Sequence, residues 1–595
     1  MLMLIQRLRQ RETRSGFDVS AVHDGLSLLA QRVLSARGLS GPASTLTLDN
    51  LIPPDALKGV HAAADLLFET LKSGGRILIV GDYDVDGATA TALMVDCLRR
   101  HYGADVDYFI PNRFVHGYGL STAIVRDIAA QPDELPALLI TVDNGIASAD
   151  GILAAQALGM RVLVTDHHLP GTQGCPADAV VNPNQEECDF PSKSACGCTV
   201  AFYLLTVLRR VAADWVAEQG WTAVRMGDYL DLVALATVAD VVPLDGNNRI
   251  LVEQGLRRVR SGYARPGILA LLQGAGRDYR QITSQDFGFV IGPRLNAAGR
   301  MDDMTVGVAC LLATEPDEAA ELAAILEDHN QRRKHVQSRM VEQATEQVLH
   351  SSEALANELG DQDALVLWDT AWHEGVVGLV AGRLKERWHR PVLALCPGSS
   401  EEAGVEVFKG SARSIPGVHI RDVLAWVDAR YPGMIVRFGG HAMAAGLTVH
   451  SHQLDALRSA LQEAMQALVD PDVLVPELVV DGELAVSDMT LARAEELSTL
   501  GPWGQGCPVP LFVNRFQVIN HRWLGGKHLK LQVQLESGSD PVDAIWFFCP
   551  LPADTLPSQQ IILAYELAVN EFRGARSLQL MVRTELTPSV FESAF

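Results

Sequence analysis

Up to about Leu51 the apolar positions fit partial helix, and no chemistry-bearing motif interrupts them. From there to about Met301, short β-branched and aliphatic runs alternate with segments that repeat their apolar residues every three to four positions. Arg76–Val80, Leu138–Val142 and Arg161–Thr165 are apolar at nearly every position, as strands buried on both faces are. Ala88–Arg100 and Ala147–Leu158 carry helical spacing between them. The rhythm predicts a parallel sheet covered by helices on both faces. Pro316 suits the first position of a helix. From Asp317 to about Leu349 the chain is charged, rich in Ala, Glu and Gln, and free of Gly and Pro, which predicts one long connecting helix. A second α/β rhythm follows, with strands at Ala364–Trp368 and Pro391–Leu395 around a helix at Val376–Trp388. After about Val469 five short strands remain: Leu511–Val513, Leu529–Leu535, Val542–Phe548, Ile561–Val569 and Leu578–Val582. That number suits a small β-barrel of the OB type. The expected fold class is multidomain α/β, two α/β domains joined by a long helix plus a C-terminal barrel. The boundaries fall at 1–50, 51–305, 306–355, 356–468 and 469–595.

Composition adds limits. A chain of 595 residues is too long for one hydrophobic core. Its 48% hydrophobic and 20% charged content is that of an ordinary soluble enzyme. No apolar run approaches the roughly 18 residues of a membrane span, and the N-terminus lacks the apolar core of a secretion signal. A cytoplasmic protein with no membrane partner is expected. The nine cysteines show no paired C-x-x-C spacing, so reduced thiols are expected rather than a zinc site or disulfides. The net charge of −23 runs against the basic footprint of a nucleic-acid protein. Acidic ligand clusters lower the total, however, and a local basic track is enough for a strand. Arg257–Arg260, Arg332–Lys334 and Arg383–Arg390 are candidates, although each taken singly fits a solvated helix face.

The candidate chemistry lies at the ends of the predicted strands. The first runs into Asp82, Asp84 and Asp86, the second into Asp143, and the third into Asp166, His167 and His168. Ligands bind at the carboxyl ends of strands in open α/β sheets. So many carboxylates in one crevice repel one another unless cations neutralise them. Oxygen ligands with one or two imidazoles suit Mn²⁺ or Mg²⁺. An ion pair about 3.5–4 Å apart can clamp a phosphate for in-line attack. Asp82 to Asp86 also opens like an EF-hand loop, but the twelfth position is Leu93 rather than Glu, which excludes that reading.

These motifs together resemble the DHH phosphoesterase superfamily, named for the triplet Asp166-His167-His168, and within it the RecJ branch. The segment Leu235–Leu244 around Asp240 resembles the fourth metal motif. Pro293–Arg300, Trp372–Gly378, Gly410–Ser414, Gly439–Gly446 and Leu500–Phe512 are similar to further RecJ segments. The resemblance implies two divalent ions, Mn²⁺ or Mg²⁺, held by Asp84, Asp86, Asp143, His167 and Asp240. Asp82 either ligates or orients, and which of the first three acids ligate directly stays open. His168 and Asp166 are implied in catalysis, with His168 near the scissile phosphate. A subsite for the substrate's 5′ phosphate is implied around Ser411 and Arg413, with Arg294, Asn296, Arg300, His373, Gly440 and His441 as further substrate contacts. Trp523, Lys527, Lys530, Trp546 and Phe547 are candidates for stacking and phosphate contact in the barrel. The implied activity is hydrolysis of single-stranded DNA from the 5′ end to mononucleotides, the strand threading between the two α/β domains, in recombination and mismatch repair with a helicase and a single-strand-binding protein as partners. Two rivals remain. Relatives acting on short oligonucleotides lack the barrel and the extended helix. Non-catalytic scaffolds have degenerate metal motifs, against which the intact acids argue.

Overall fold

The computed structural model describes residues 5–12, 25–39, 41–131, 134–351, 362–398, 406–552, 557–572 and 574–594. Two compact units form. The first comprises Pro42–Arg333 with Gly501–Val509, and the second comprises Met1–Gly41, Lys334–Leu500 and Pro510–Phe595. The first strand of the chain, β1 (Arg7–Gln10), belongs to the second unit.

In the first unit the strands are β2 (Ile77–Val80), β3 (Val106–Phe109), β4 (Leu138–Val142), β5 (Arg161–Thr165) and β6 (Ala179–Val181). They form a parallel sheet in the order β3-β2-β4-β5-β6. Ile77 pairs with Leu138, and Leu138 with Arg161. All four residues of β2 and all five of β4 are buried, which explains their unbroken apolar runs. Leu78, Leu139 and Val162 pack against Ile124, Ile128 and Ile152 of helices Thr122–Ala129 and Ala149–Ala157. Burying each such side chain contributes about 1.5–3 kcal/mol, and Leu139→Ala would cost about 2–5 kcal/mol. The chain leaves β2 for β3 on one side and returns to β4 on the other, so a topological switch point opens between β2 and β4.

The alternating rhythm does not persist to Met301 as the sequence pattern suggests. From Gly197 to Leu312 the regular elements of the first unit are helices and helical turns. Apolar runs such as Leu230–Ala239 are buried all round, and a buried helix and a buried strand share that pattern. The long helix spans Pro316–Ser351, and the division between units falls inside it.

The second unit holds a five-stranded sheet of β7 (Leu365–Trp368), β8 (Val392–Pro397), β9 (Val407–Arg413), β10 (Ile435–Gly440) and β11 (Ala444–His450), in the order β10-β11-β9-β8-β7. Only β7 and β8 pair in parallel. The core joins Leu393, Phe408 and Val449 to Leu424 and Leu461 of helices Ile420–Arg430 and Leu454–Leu468. Next, β12 (Glu477–Val480) pairs in parallel with β1. Helix Leu28–Arg37 ends on a buried ion pair, Arg37 to Asp481 at 2.6 Å. Residues 5–12 and 25–39 therefore supply a strand and a helix tied to β12 and Asp481, ahead of the barrel. β13 (Phe512–Leu524), β14 (His528–Gln534), β15 (Val542–Trp546), β16 (Gln560–Phe572) and β17 (Ala575–Leu586) close that barrel in the order β13-β14-β15-β17-β16, consistent with an OB fold.

Candidate metal centre

The switch point between β2 and β4 gathers the acids. After β2, Asp84 caps helix Val85–Tyr102, accepting hydrogen bonds from the N–H groups of Asp86 at 2.9 Å and Gly87 at 3.1 Å. A Cβ on Gly87 would stand 2.5 Å from Asp82 N, so only glycine lets the loop fold back this tightly. Asp86 accepts from Gly197 N at 2.6 Å and Cys198 N at 2.8 Å, the opening N–H groups of helix Gly197–Val211. Gly197 is required too, because a Cβ there would lie 2.6 Å from the Asp143 side chain. Asp143 follows β4 with φ 62°, a left-handed conformation that Asp and Asn tolerate better than most residues. Asn144 donates to the carbonyls of Val80 and Val142, tying the ends of β2 and β4 together.

His167 Nε2 lies 3.2 Å from Asp143 Oδ1, 3.5 Å from Asp240 Oδ2 and 3.8 Å from Asp86 Oδ2. Asp240 caps the end of helix Leu230–Ala239. His167 Nε2, Asp143 Oδ1 and Asp240 Oδ2 are buried without a hydrogen-bond partner. Leaving three such atoms unsatisfied is costly unless something binds them. Burial, then the charges of Asp86, Asp84 and Asp240, pushes the Asp143 carboxyl well above the ordinary carboxylate range. Burial and the neighbouring aspartates act the same way on Asp82 and Asp240. Burial holds the His167 imidazole below its ordinary value, in the neutral form that ligates metals. Donor atoms within 4.8 Å of one another come from Asp82, Asp84 and Asp143, from Asp86, His167 and Asp240, and from Asp143, His167 and His168. The first two groups share no residue and are oxygen-rich, which fits two hard or borderline divalent cations.

Asp166 faces elsewhere. Its carboxylate accepts from the N–H groups of Ile146, His167 and His168, and its Oδ1 is 2.8 Å from His168 Nδ1. It shapes the loop and orients His168. Tyr118, which the strand-end reading misses, has its hydroxyl 2.9 Å from His168 Nδ1 and donates to Asp143 O at 3.3 Å. Its only sequence signal is the flanking pair Gly117 and Gly119, with φ 74° and 77°. Helix Gly292–Met301 carries Arg294, Asn296 and Arg300, and its Gly299 packs directly on Tyr83, where a Cβ would meet the carbonyl at 2.0 Å. Arg294 Nε is 2.6 Å from Glu327, and Arg294 Nη1 donates to Val290 O, so the structure gives this guanidinium protein partners.

In the second unit, three segments distant in sequence meet at β9. His373 caps helix Glu374–Trp388, its Nδ1 accepting from Gly375 N at 3.1 Å. Arg413 donates to Ser411 Oγ at 2.9 Å. A Cβ on Gly378 would stand 2.9 Å from both Ser411 Oγ and Arg413 Nη2. Ser411 pairs with Gly446 of β11, and Gly440, at φ 140°, and His441 form the turn that leads into that strand.

Several surface expectations change. Arg257 pairs with Glu253, Arg258 with Asp228, Arg332 with Asp328 and Arg383 with Glu386, so the three candidate basic tracks are partly neutralised within their own units. In the barrel, Trp546 is 3% exposed and belongs to the core, while Lys530 is held by Asp543 at 2.7 Å. Phe547 and Phe548 are 49% and 74% exposed, and the His528 ring lies 5.2 and 4.8 Å from them. All nine cysteines are free thiols, and Cys188, Cys196 and Cys198 belong to none of the ligand groups.

Comparison with known proteins agrees with this geometry. Residues 76–237 match the DHH family, N-terminal domain, residues 361–467 the DHHA1 domain, and residues 480–584 the RecJ OB domain. The single-stranded-DNA-specific exonuclease RecJ of Escherichia coli is 44% identical over 97% of this chain and 98% of its own length. The protein of that name from Salmonella typhimurium is 42% identical over 97% and 99%. The crystal structure of Thermus thermophilus RecJ in complex with Mn²⁺ superposes with a TM-score of 0.78 at 28% identity, covering 98% of this chain and 80% of that one. A matching domain at each of the three places, in the same order and over nearly the full length, means that the chain belongs to the RecJ family, whose curated members are named single-stranded-DNA-specific exonucleases.

Proposed function

We propose that this protein is a metal-dependent exonuclease specific for single-stranded DNA, working from the 5′ end and releasing 5′-mononucleotides. The observation that carries the reading is the buried, unpartnered set of Asp143, His167 and Asp240, closed by Asp86, at the switch point of a parallel sheet. Asp82, Asp84, Asp86, Asp143, His167 and Asp240 would hold two Mn²⁺ or Mg²⁺ ions, which supply Lewis acidity and a nucleophilic water of lowered pKa. The chain's own residues do the rest. Burial alone would lower the His168 pKa, but the hydrogen bond to Asp166 and its charge outweigh burial and raise it. That shift favours the protonated imidazole, which can donate to a phosphate oxygen at the scissile bond. Asp166 and Tyr118 hold that imidazole in place. Ser411 and Arg413 would seat the terminal phosphate, Arg offering a bidentate fork. Phe547, Phe548 and His528, beside Lys527, offer a stacking surface for unpaired bases. Family membership supports a setting in cytoplasmic DNA recombination and mismatch repair, beside a helicase and a single-strand-binding protein. No helix among the described residues is long and apolar enough to cross a membrane.

The test is digestion of single-stranded DNA labelled separately at each end, with Mn²⁺ or with EDTA. Labelled mononucleotide should leave the 5′ end first and only with metal. Tight binding without release in Mn²⁺ would make the protein a scaffold. Cleavage of dinucleotides alone would place it with enzymes of short oligonucleotides.

A further inference from the structure

Along β9 successive side chains alternate between two faces. Phe408 and Ala412 enter the core of the second unit. Lys409, Ser411 and Arg413 share the other face, all partly buried. The first turns of helix Glu374–Trp388 lie over this row. Glu374 Oε1 is 2.9 Å from Lys409 Nζ, and one turn on, Gly378 lets the helix backbone approach Ser411 and Arg413 so closely that a Cβ there would stand 2.9 Å from both. Alternate strand residues stand about 6.8 Å apart, within the reach of a lysine side chain. Lys409 Nζ can thus turn from Glu374 toward a group seated at Ser411.

The charge balance of the row is informative. A terminal phosphomonoester carries about −1.5 to −2 at neutral pH, whereas a hydroxyl end carries none. Arg413 supplies one positive charge. Lys409 is the second cation on the same face, and Glu374 competes for it. We propose that Lys409 is a specificity-determining residue of the terminal-phosphate subsite, turning from Glu374 to supply the second positive charge that a phosphorylated end requires. This rests on the reading of Ser411 and Arg413 given above.

The experiment compares kcat/KM of the full chain, with Mn²⁺, on single strands bearing a 5′ phosphate or a 5′ hydroxyl. Lys409→Met keeps the apolar stem and removes the charge. It should lower the phosphate-to-hydroxyl ratio about tenfold, equivalent to about 1.4 kcal/mol, with little change on hydroxyl ends. An equal loss on both ends, or no loss, overturns the proposal. Glu374→Gln should raise the ratio about threefold. It decides the matter if Lys409→Met proves unstable, and an unchanged or lower ratio then counts against Lys409. Arg413→Ala separates the two layers of the argument. If it is selective for phosphorylated ends while Lys409→Met is not, only the role of Lys409 fails. If it loses both ends equally, the subsite itself is misplaced.

Discussion

Asp143 combines three costs in one residue: it is 2% exposed, it has a left-handed backbone, and it lies among other aspartates. A carboxyl with a raised folded-state pKa binds its proton more tightly in the fold than in the unfolded chain. Stability of the metal-free protein therefore falls as pH rises from the ordinary carboxylate range through that raised value. Asn keeps the shape, tolerates the positive φ and removes the charge. In EDTA at neutral pH, Asp143→Asn should therefore raise the thermal transition of the first unit, by about 2–4 °C for each kcal/mol relieved. It should also abolish both hydrolysis and the stabilisation by Mn²⁺. A lowered transition in EDTA, or activity at the wild-type rate, would remove Asp143 from the metal centre. Asp166 calls for the opposite pattern. Its carboxylate meets His168 and backbone N–H groups. Asp166→Asn should lower kcat by about 10–100-fold, as loss of an orienting partner does, while Mn²⁺ still stabilises the fold. Loss of the Mn²⁺ effect would make Asp166 a ligand instead.

At the scale of elements, the N-terminal strand is the least anticipated feature, whereas the helix after it, Leu28–Arg37, lies where partial helix is expected. β1 adds to β12, and Arg37 meets Asp481 with side-chain exposures of 2% and 1%. Asp481 also accepts from Leu511 N at 2.9 Å, one residue before β13 begins. Arg11 Nε stands 3.5 Å from the same carboxylate, so Arg37→Met leaves Asp481 with a weaker partner and should destabilise the second unit by about 1–3 kcal/mol, read from its urea transition. A cost below about 1 kcal/mol would mean that water reaches the pair. The contrast with the sheet of the first unit shows what a sequence displays. β2, β4 and β5 are legible because burial on both faces makes every position apolar, and the acids that follow them are placed by the strand ends. β1, β3 and β12 are four residues each and partly exposed, so their patterns are too short to register. Gly87 and Gly197 look like any other glycines until the approach of Asp82 and Asp143 explains them. Tyr118 is invisible for a similar reason: it reaches His168 through a loop fixed by contacts far along the chain, such as Leu120 N to Ser148 Oγ.

At the scale of the whole molecule, a net charge of −23 must be reconciled with a polyanionic substrate. The carboxylates of the metal centre contribute to that number and would be neutralised by the ions they hold. The basic tracks that could have compensated are instead partly spent on intramolecular pairs with Glu253, Asp228, Asp328 and Glu386. Affinity for a strand must then come from few phosphate contacts, from stacking on groups such as Phe547 and Phe548, and from the metal centre. Each phosphate neutralised on a single strand contributes about −0.7 to the slope of log K against log salt. Binding measured in EDTA, where the strand survives, should show a slope of only about −2 to −3, as for three or four contacts. Phe548→Ala should weaken binding by about 1–3 kcal/mol, the worth of one stacked base, and leave the slope unchanged. Lys527→Gln should flatten the slope by about 0.7 with a smaller loss of affinity at high salt. A wild-type slope beyond about −6 would mean that many more cations meet the strand than the unpaired basic surface offers. The search for the DNA path would then move away from the barrel's aromatic edge.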